Sequence, residues 1–208
     1  MRLRTKKAIS GKTFLFVDGT NLYAGQYELL GPDKYLVFSL FIKEIESKTG
    51  ISFDKIYFYA SYSPRSKNPT KREKLYLKNE ALFYRGARET KSVVFFTGYR
   101  SKASGKEKEV DVKLTADLIS FAFLNKFNTV YLFTGDADFL QALFNIKKFH
   151  DKKNIYLICL ENKIMYKGAF YFGTYIVSLR KVGQKFHNKQ KIKILKIDES
   201  EVVRLLPH

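Results

Sequence analysis

Five short runs of consecutive apolar residues recur along the 208-residue chain, each stopping abruptly at a polar or glycine position. They are FLFV in TFLFVDG (13–19), KIYFYASYS (55–63), SVVFFTGY (92–99), TVYLFTGD (129–136) and NIYLICLE (154–161). An unbroken apolar run of this length is what a strand needs when helices cover both its faces, because neither face meets water. Between the runs the pattern changes to the helical period. YLVFSLFIKEIESKTG (35–50) is apolar at 37, 38, 41, 42 and 45 and closes on Gly50. NPTKREKLYLKNEALFYRG (68–86) opens on Asn68-Pro69 and closes on Gly86. EVDVKLTADLISFAFLNKF (109–127) and ADFLQALFNIKKFH (137–150) are amphipathic, and KGAFYFGTYIVSLRKVG (167–183) is a weaker, glycine-interrupted helix pattern. Strands alternating with helices predict a doubly wound α/β domain with a mostly parallel sheet of about five strands.

Residues 1–11 read as a basic N-terminal extension, 12–178 as the folded domain and 179–208 as a basic tail. Within the tail, IKILKI alternates at the strand period. Three roles are open to it: an edge strand, an arm that folds on RNA, or an extension that binds a partner. The lone Cys159 sits inside the apolar run IYLICL, so no intrachain disulfide exists and a reducing compartment is expected. FLFV is too short for a signal-peptide core, and no window reaches the roughly 18 apolar residues of a membrane span. A cytoplasmic protein with no membrane role is expected.

The chain carries 38 Lys and Arg against 20 Asp and Glu, a formal net charge of +18. A field of that sign attracts polyanions, with RNA or DNA the first candidate and an anionic membrane surface the second. PRSKNPTKREK (64–74), with Arg65, Lys67, Lys71 and Arg72, and RSKASGKEK (100–108), with Arg100, Lys102 and Lys106, are the candidate phosphate contacts.

Against this background the acids are conspicuous. Ligands of open α/β sheets bind beyond the carboxyl ends of the strands. Asp18 and Asp136 each stand at such an end, and Asp111 near the start of the helix that precedes the fourth apolar run; Asp138 follows Asp136 by two residues. Singly, each has an ordinary role as a turn former or first-turn acid. Together, carboxylates at one edge repel by roughly 4 kcal/mol per pair at 4 Å. A divalent cation resolves that conflict, and oxygen ligands without a His or Cys cluster select Mg²⁺ or Mn²⁺ over Zn²⁺. Such ions activate a water for attack on a phosphodiester. Asp117 lies about 120° around the helix from Asp111, which suits a supporting acid, and Thr115 shares the better face. Thr134, beside Asp136, is a further supporting residue. Asn21, one turn after Asp18, either caps the following helix or hydrogen-bonds within the site.

FVDGTNLY (16–23), KEVDVKLTADL (108–118) and VYLFTGDADF (130–139) together resemble, in the same order, the motifs of NYN-domain proteins, the PIN-like nuclease branch that includes LabA-like bacterial proteins. The resemblance covers about residues 12–178. It implies a three-layer α/β/α fold and a metal-dependent ribonuclease site leaving a 3′-hydroxyl and a 5′-phosphate. By motif, Asp18, Asp111 and Asp136 match the core acids, Asp138 the further acid and Asn21 the asparagine. The middle motif usually reads Lys-Gly-Val-Asp; here Glu109 stands in place of the glycine. VDGT also resembles the haloacid dehalogenase signature, but that chemistry needs an aspartate where this chain has Phe16. The rival reading is an RNA-binding or scaffolding protein with a weak or vestigial nuclease site. A homodimer is left open.

Overall fold

The computed structural model describes residues 11–100, 107–179 and 192–197. Strand β1 (Thr13–Asp18) leads into helices α1 (Gly19–Leu30) and α2 (Phe38–Thr49), then β2 (Lys55–Ala60), α3 (Lys71–Arg88) and β3 (Val93–Thr97). Short strands β4 (Tyr99–Arg100) and β5 (Glu107–Lys108) precede α4 (Val110–Phe123) and β6 (Thr129–Phe133). A 3₁₀ turn (Ala137–Phe139), α5 (Leu140–Phe149), β7 (Asn154–Leu160), α6 (Tyr166–Tyr171), β8 (Gly173–Leu179) and β9 (Ile192–Ile197) follow.

Seven strands form one sheet in the order β3-β2-β1-β6-β7-β8-β9, while β4 and β5 make a separate antiparallel ribbon. Every neighbouring pair in the large sheet is parallel except β8 with β9. The apolar runs do what their composition requires. Along β1, Leu15 and Val17 pack into one core with Leu22 and Tyr23 of α1, Phe41 of α2 and Phe83 of α3. Phe14 and Phe16 face the opposite way, into a second core with Leu114 and Leu118 of α4 and Leu143 and Ile146 of α5. Two cores on two sides of one sheet make the three-layer α/β/α sandwich. Phe16 stacks on Tyr57, centroids 5.1 Å apart, and meets Phe127 edge-on at 6.4 Å. Ring pairs of this kind are worth about 0.5–1.5 kcal/mol each beyond the area they bury.

Three local readings are corrected. The segment expected as a glycine-interrupted helix is helix only to Tyr171; GTYIVSL is strand β8. Its Thr, Tyr, Ile and Val side chains favour a pleated surface, and Phe172 has already turned to extended φ and ψ of −130° and 129°. With β9, which turns the alternating IKILKI into the sheet's antiparallel edge, this raises the count from about five strands to seven. Helix α3 starts behind Thr70 rather than at Asn68-Pro69, because Thr70 and Glu73 form a reciprocal capping box, and it runs through Gly86 to Arg88. Helix α1 is capped by Asp18, not Asn21. Among the described residues, no helix is long and apolar enough to cross a membrane.

Candidate active site at the strand-order switch

From β1 the sheet grows outward through β2 and β3, and from β6 it grows the other way through β7 and β8. The crevice beyond the carboxyl ends of β1 and β6 is therefore the switch point at which doubly wound sheets bind ligands. Asp18 is the last residue of β1 and Asp136 lies three residues past the end of β6.

A small hydrogen-bond lattice fixes both. Asp18, 4% exposed, accepts the Asn21 N–H at 3.0 Å through Oδ1, capping α1, and the Thr134 hydroxyl at 2.9 Å through Oδ2. The Thr134 oxygen in turn accepts the Asp136 N–H at 3.0 Å. One buried threonine thus ties the two acids together. Asn21 Oδ1 accepts the Gly135 N–H at 3.0 Å, locking α1 to the loop after β6. That approach needs a glycine: a Cβ at 135 would sit 2.6 Å from the carbonyl oxygen of Lys163. Asp136 Oδ1 accepts the Asp138 N–H at 2.9 Å, capping the 3₁₀ turn.

Asp111, exposed in the first turn of α4, joins Asp18 and Asp136 around an open cleft of about 770 Å³. Thr20, Asn21 and Ala24 of α1 line its other wall, and Tyr99, 55% exposed, stands at its edge. Burial is the largest influence on Asp18, and the charges of Asp111 and Asp136 act in the same direction. Its pKa is pushed up to about 7 despite the hydrogen bonds from Asn21 and Thr134.

The remaining candidates lie elsewhere. The Asp138 side chain is exposed and outside the cleft wall; its backbone contributes by bonding Asp136. Thr115 is half-buried and also outside that wall. Asp117 accepts the Tyr59 hydroxyl at 2.9 Å and the Lys113 ammonium at 2.6 Å, so it steadies α4 against β2. Arg65, Lys67, Lys71 and Arg72 are exposed between β2 and the start of α3. The side chain of Arg100, with Lys102 and Lys106, falls outside the described residues.

Sequence reasoning missed the place of Thr20, a cleft residue whose hydroxyl accepts the Ser61 N–H at 3.3 Å, and the backbone state of Glu109. Glu109 precedes α4 with φ 78° and ψ −24°, left-handed backbone that glycine adopts freely, and it lines the cleft. Left-handed backbone costs a side-chain-bearing residue roughly 1–2 kcal/mol. Glu109→Gly is therefore expected to raise stability by about 1 kcal/mol, read from the urea midpoint.

The donor chemistry of the cleft suits a hard divalent cation: aspartates from β1, the β6 loop and α4, and Glu109 just before α4, with no histidine or cysteine on its wall. Among the described residues no three His, Cys, Asp or Glu gather closely enough to hold a metal ion by themselves. Mg²⁺ is usually held by one or two carboxylates, keeps several waters and takes substrate phosphate oxygens as further ligands.

The NYN domain family model matches residues 12–170. No curated protein matches the sequence. The crystal structure of a protein of unknown function from Vibrio parahaemolyticus shares the fold with a TM-score of 0.53 and 15% identity, over 85% of this chain and 97% of that one. With the acids of its three motifs at one switch point and the family model spanning most of its length, the chain belongs to the NYN-domain family, within the PIN-like nuclease superfamily.

Proposed function

We propose that this protein is a metal-dependent endoribonuclease. The observation that carries the reading is the convergence of Asp18, Asp111 and Asp136, from three separate elements, on one cleft of a chain with net charge +18. Asp18 and Asp136 are held from behind by Thr134, so their geometry is set before substrate arrives. Asp111 faces them from α4. A divalent cation bound to these oxygens supplies Lewis acidity toward the phosphate and lowers the pKa of a water for in-line attack. The exposed cations between β2 and α3 bind the strand by its phosphates, and Tyr99 offers an exposed ring for an unpaired base. Mg²⁺ or Mn²⁺ is the cofactor and RNA the substrate, with the protein acting in the cytoplasm.

A binding-only role draws on the lack, among the described residues, of three potential ligands close enough to hold a metal ion. Chelation separates the two. EDTA is expected to abolish RNA cleavage and added Mg²⁺ or Mn²⁺ to restore it, followed on a labelled single-stranded RNA. A scaffold binds the strand equally with or without metal and cuts it under neither condition.

A further inference from the structure

A second cavity, of about 310 Å³, lies between α1, the loop after β2 and the start of α3, and plays no part in the chemistry above. Tyr27 and Tyr76 line it as a T-shaped pair, centroids 4.7 Å apart at 78°. The Arg72 Nε–H donates to the Tyr27 hydroxyl at 2.8 Å, with its guanidinium carbon 5.8 Å from that ring's centroid. The opposite wall is the loop through Ser63 and Ser66. Glu80, 1% exposed, fixes that loop by accepting the Ser63 N–H at 2.9 Å and the Ser63 hydroxyl at 2.7 Å. The Tyr23 hydroxyl, from the core, donates to the Tyr76 carbonyl at 2.8 Å. The cavity is therefore built in advance, with its aromatic and hydroxyl groups held from behind.

Its surroundings say what it takes. Arg65, Lys67 and Lys71 are exposed on the same loop and helix start. Helix α1 joins the cavity to the acidic cleft: Ala24 lines the cleft and Tyr27 the cavity, three residues on, about 4.5 Å along the axis and on neighbouring faces. Aromatic and hydroxyl groups, Arg72 on the wall and exposed cations on the adjoining loop match an unpaired base and its flanking phosphates, while Glu73, the acid on the wall, is engaged with Thr70. We propose that this cavity holds one unpaired nucleobase of the RNA strand whose backbone crosses the acidic cleft, so that single-stranded RNA is the preferred substrate. The proposal deepens the ribonuclease reading and rests on RNA being the substrate.

The test is binding without metal, so that no strand is cut. Fluorescence anisotropy of the full chain in EDTA compares a short single-stranded RNA with a set of strands each lacking one base. Loss of the base that enters the cavity is expected to weaken binding roughly 10-fold. Tyr27→Ala should weaken the intact strand by a similar factor and leave the strand lacking that base unaffected. Tyr27→Phe, which keeps the ring, should retain the discrimination, and thermal melts confirm that both variants fold. The idea is overturned if the wild-type chain binds every such strand as well as the intact one, or if Tyr27→Ala weakens all strands equally. Displacement by a free mononucleotide as effective as by the strand would also overturn it, since the cavity would then serve a small ligand. A chain that discriminates but never cleaves would leave the cavity standing and defeat the nuclease reading; cleavage without discrimination would do the reverse.

Discussion

Replacing Asp18 by asparagine should make the metal-free protein more stable above neutral pH while cleavage falls at least about 100-fold, since loss of even a supporting partner costs a metal site 10- to 100-fold. The stability gain follows from burial. Asp18 ionises near pH 7 in the folded chain, pushed up first by desolvation and then by Asp111 and Asp136. Its unfolded value is near 3.9. Between those values the folded state holds a proton that the unfolded state has released, so the free energy of unfolding falls as pH rises through the window and stays low above it. At about 1.4 kcal/mol per unit, the span amounts to roughly 4 kcal/mol at most. Asparagine keeps an oxygen for the Asn21 N–H and can donate its amide to the Thr134 oxygen, but the Thr134 hydroxyl proton loses its acceptor, which offsets about 1–3 kcal/mol of the gain. Urea midpoints in EDTA at about pH 5 and about pH 8 measure this: the wild-type chain loses stability between the two, as Asp18 gives up its proton, and Asp18→Asn loses much less. A divalent cation, which binds the ionised form, should stabilise the wild type most where Asp18 is deprotonated.

Asp111→Asn separates chemistry from folding. Asp111 is exposed at the start of α4, where an acid contributes about 0.3–1 kcal/mol through the helix dipole. The variant should melt within a few degrees of the wild type, yet cleave at least about 100-fold more slowly, because it lacks one of the three aspartates around the cleft. RNA affinity in EDTA should hold or tighten, since a charge that repels phosphate has gone. Gel-shift and cleavage assays on the same preparation give both numbers, and cleavage at the wild-type rate would remove Asp111 from the mechanism.

The contrast between these acids shows how far the sequence is legible. FLFV and VYLF announce strands covered on both faces, and the placement of Asp18 and Asp136 at their carboxyl ends follows from the parallel sheet, with β1 and β6 adjacent and in register from Thr13–Thr129 onward. Asp111 is legible for the same reason, since the helix between the third and fourth apolar runs must begin at that edge. Asp138, two residues after Asp136, has the spacing of a ligand, and in the structure its N–H bonds to Asp136, the cap of the 3₁₀ turn, while the residue is exposed. Glu109 carries no sequence signal of left-handed backbone, because glutamate ordinarily avoids it; the family's glycine at that position was the one clue. GTYIVSL reads as helix in the sequence because Gly173 and the short helix before it blur the change of period. The Tyr27–Tyr76 cavity could not be read at all, since it depends on how α1 and α3 dock and on a buried Glu80 that sequence alone would place at the surface.

Side-by-side cleavage of an end-labelled single-stranded RNA by the wild-type chain and Asp18→Asn, with Mn²⁺ present and absent, bears most directly on the acidic cleft as a metal-dependent nuclease centre. Shortened product bearing a 5′-phosphate should accumulate with the wild-type chain and Mn²⁺ alone. Equal product without metal, or from Asp18→Asn at the wild-type rate, would contradict the account.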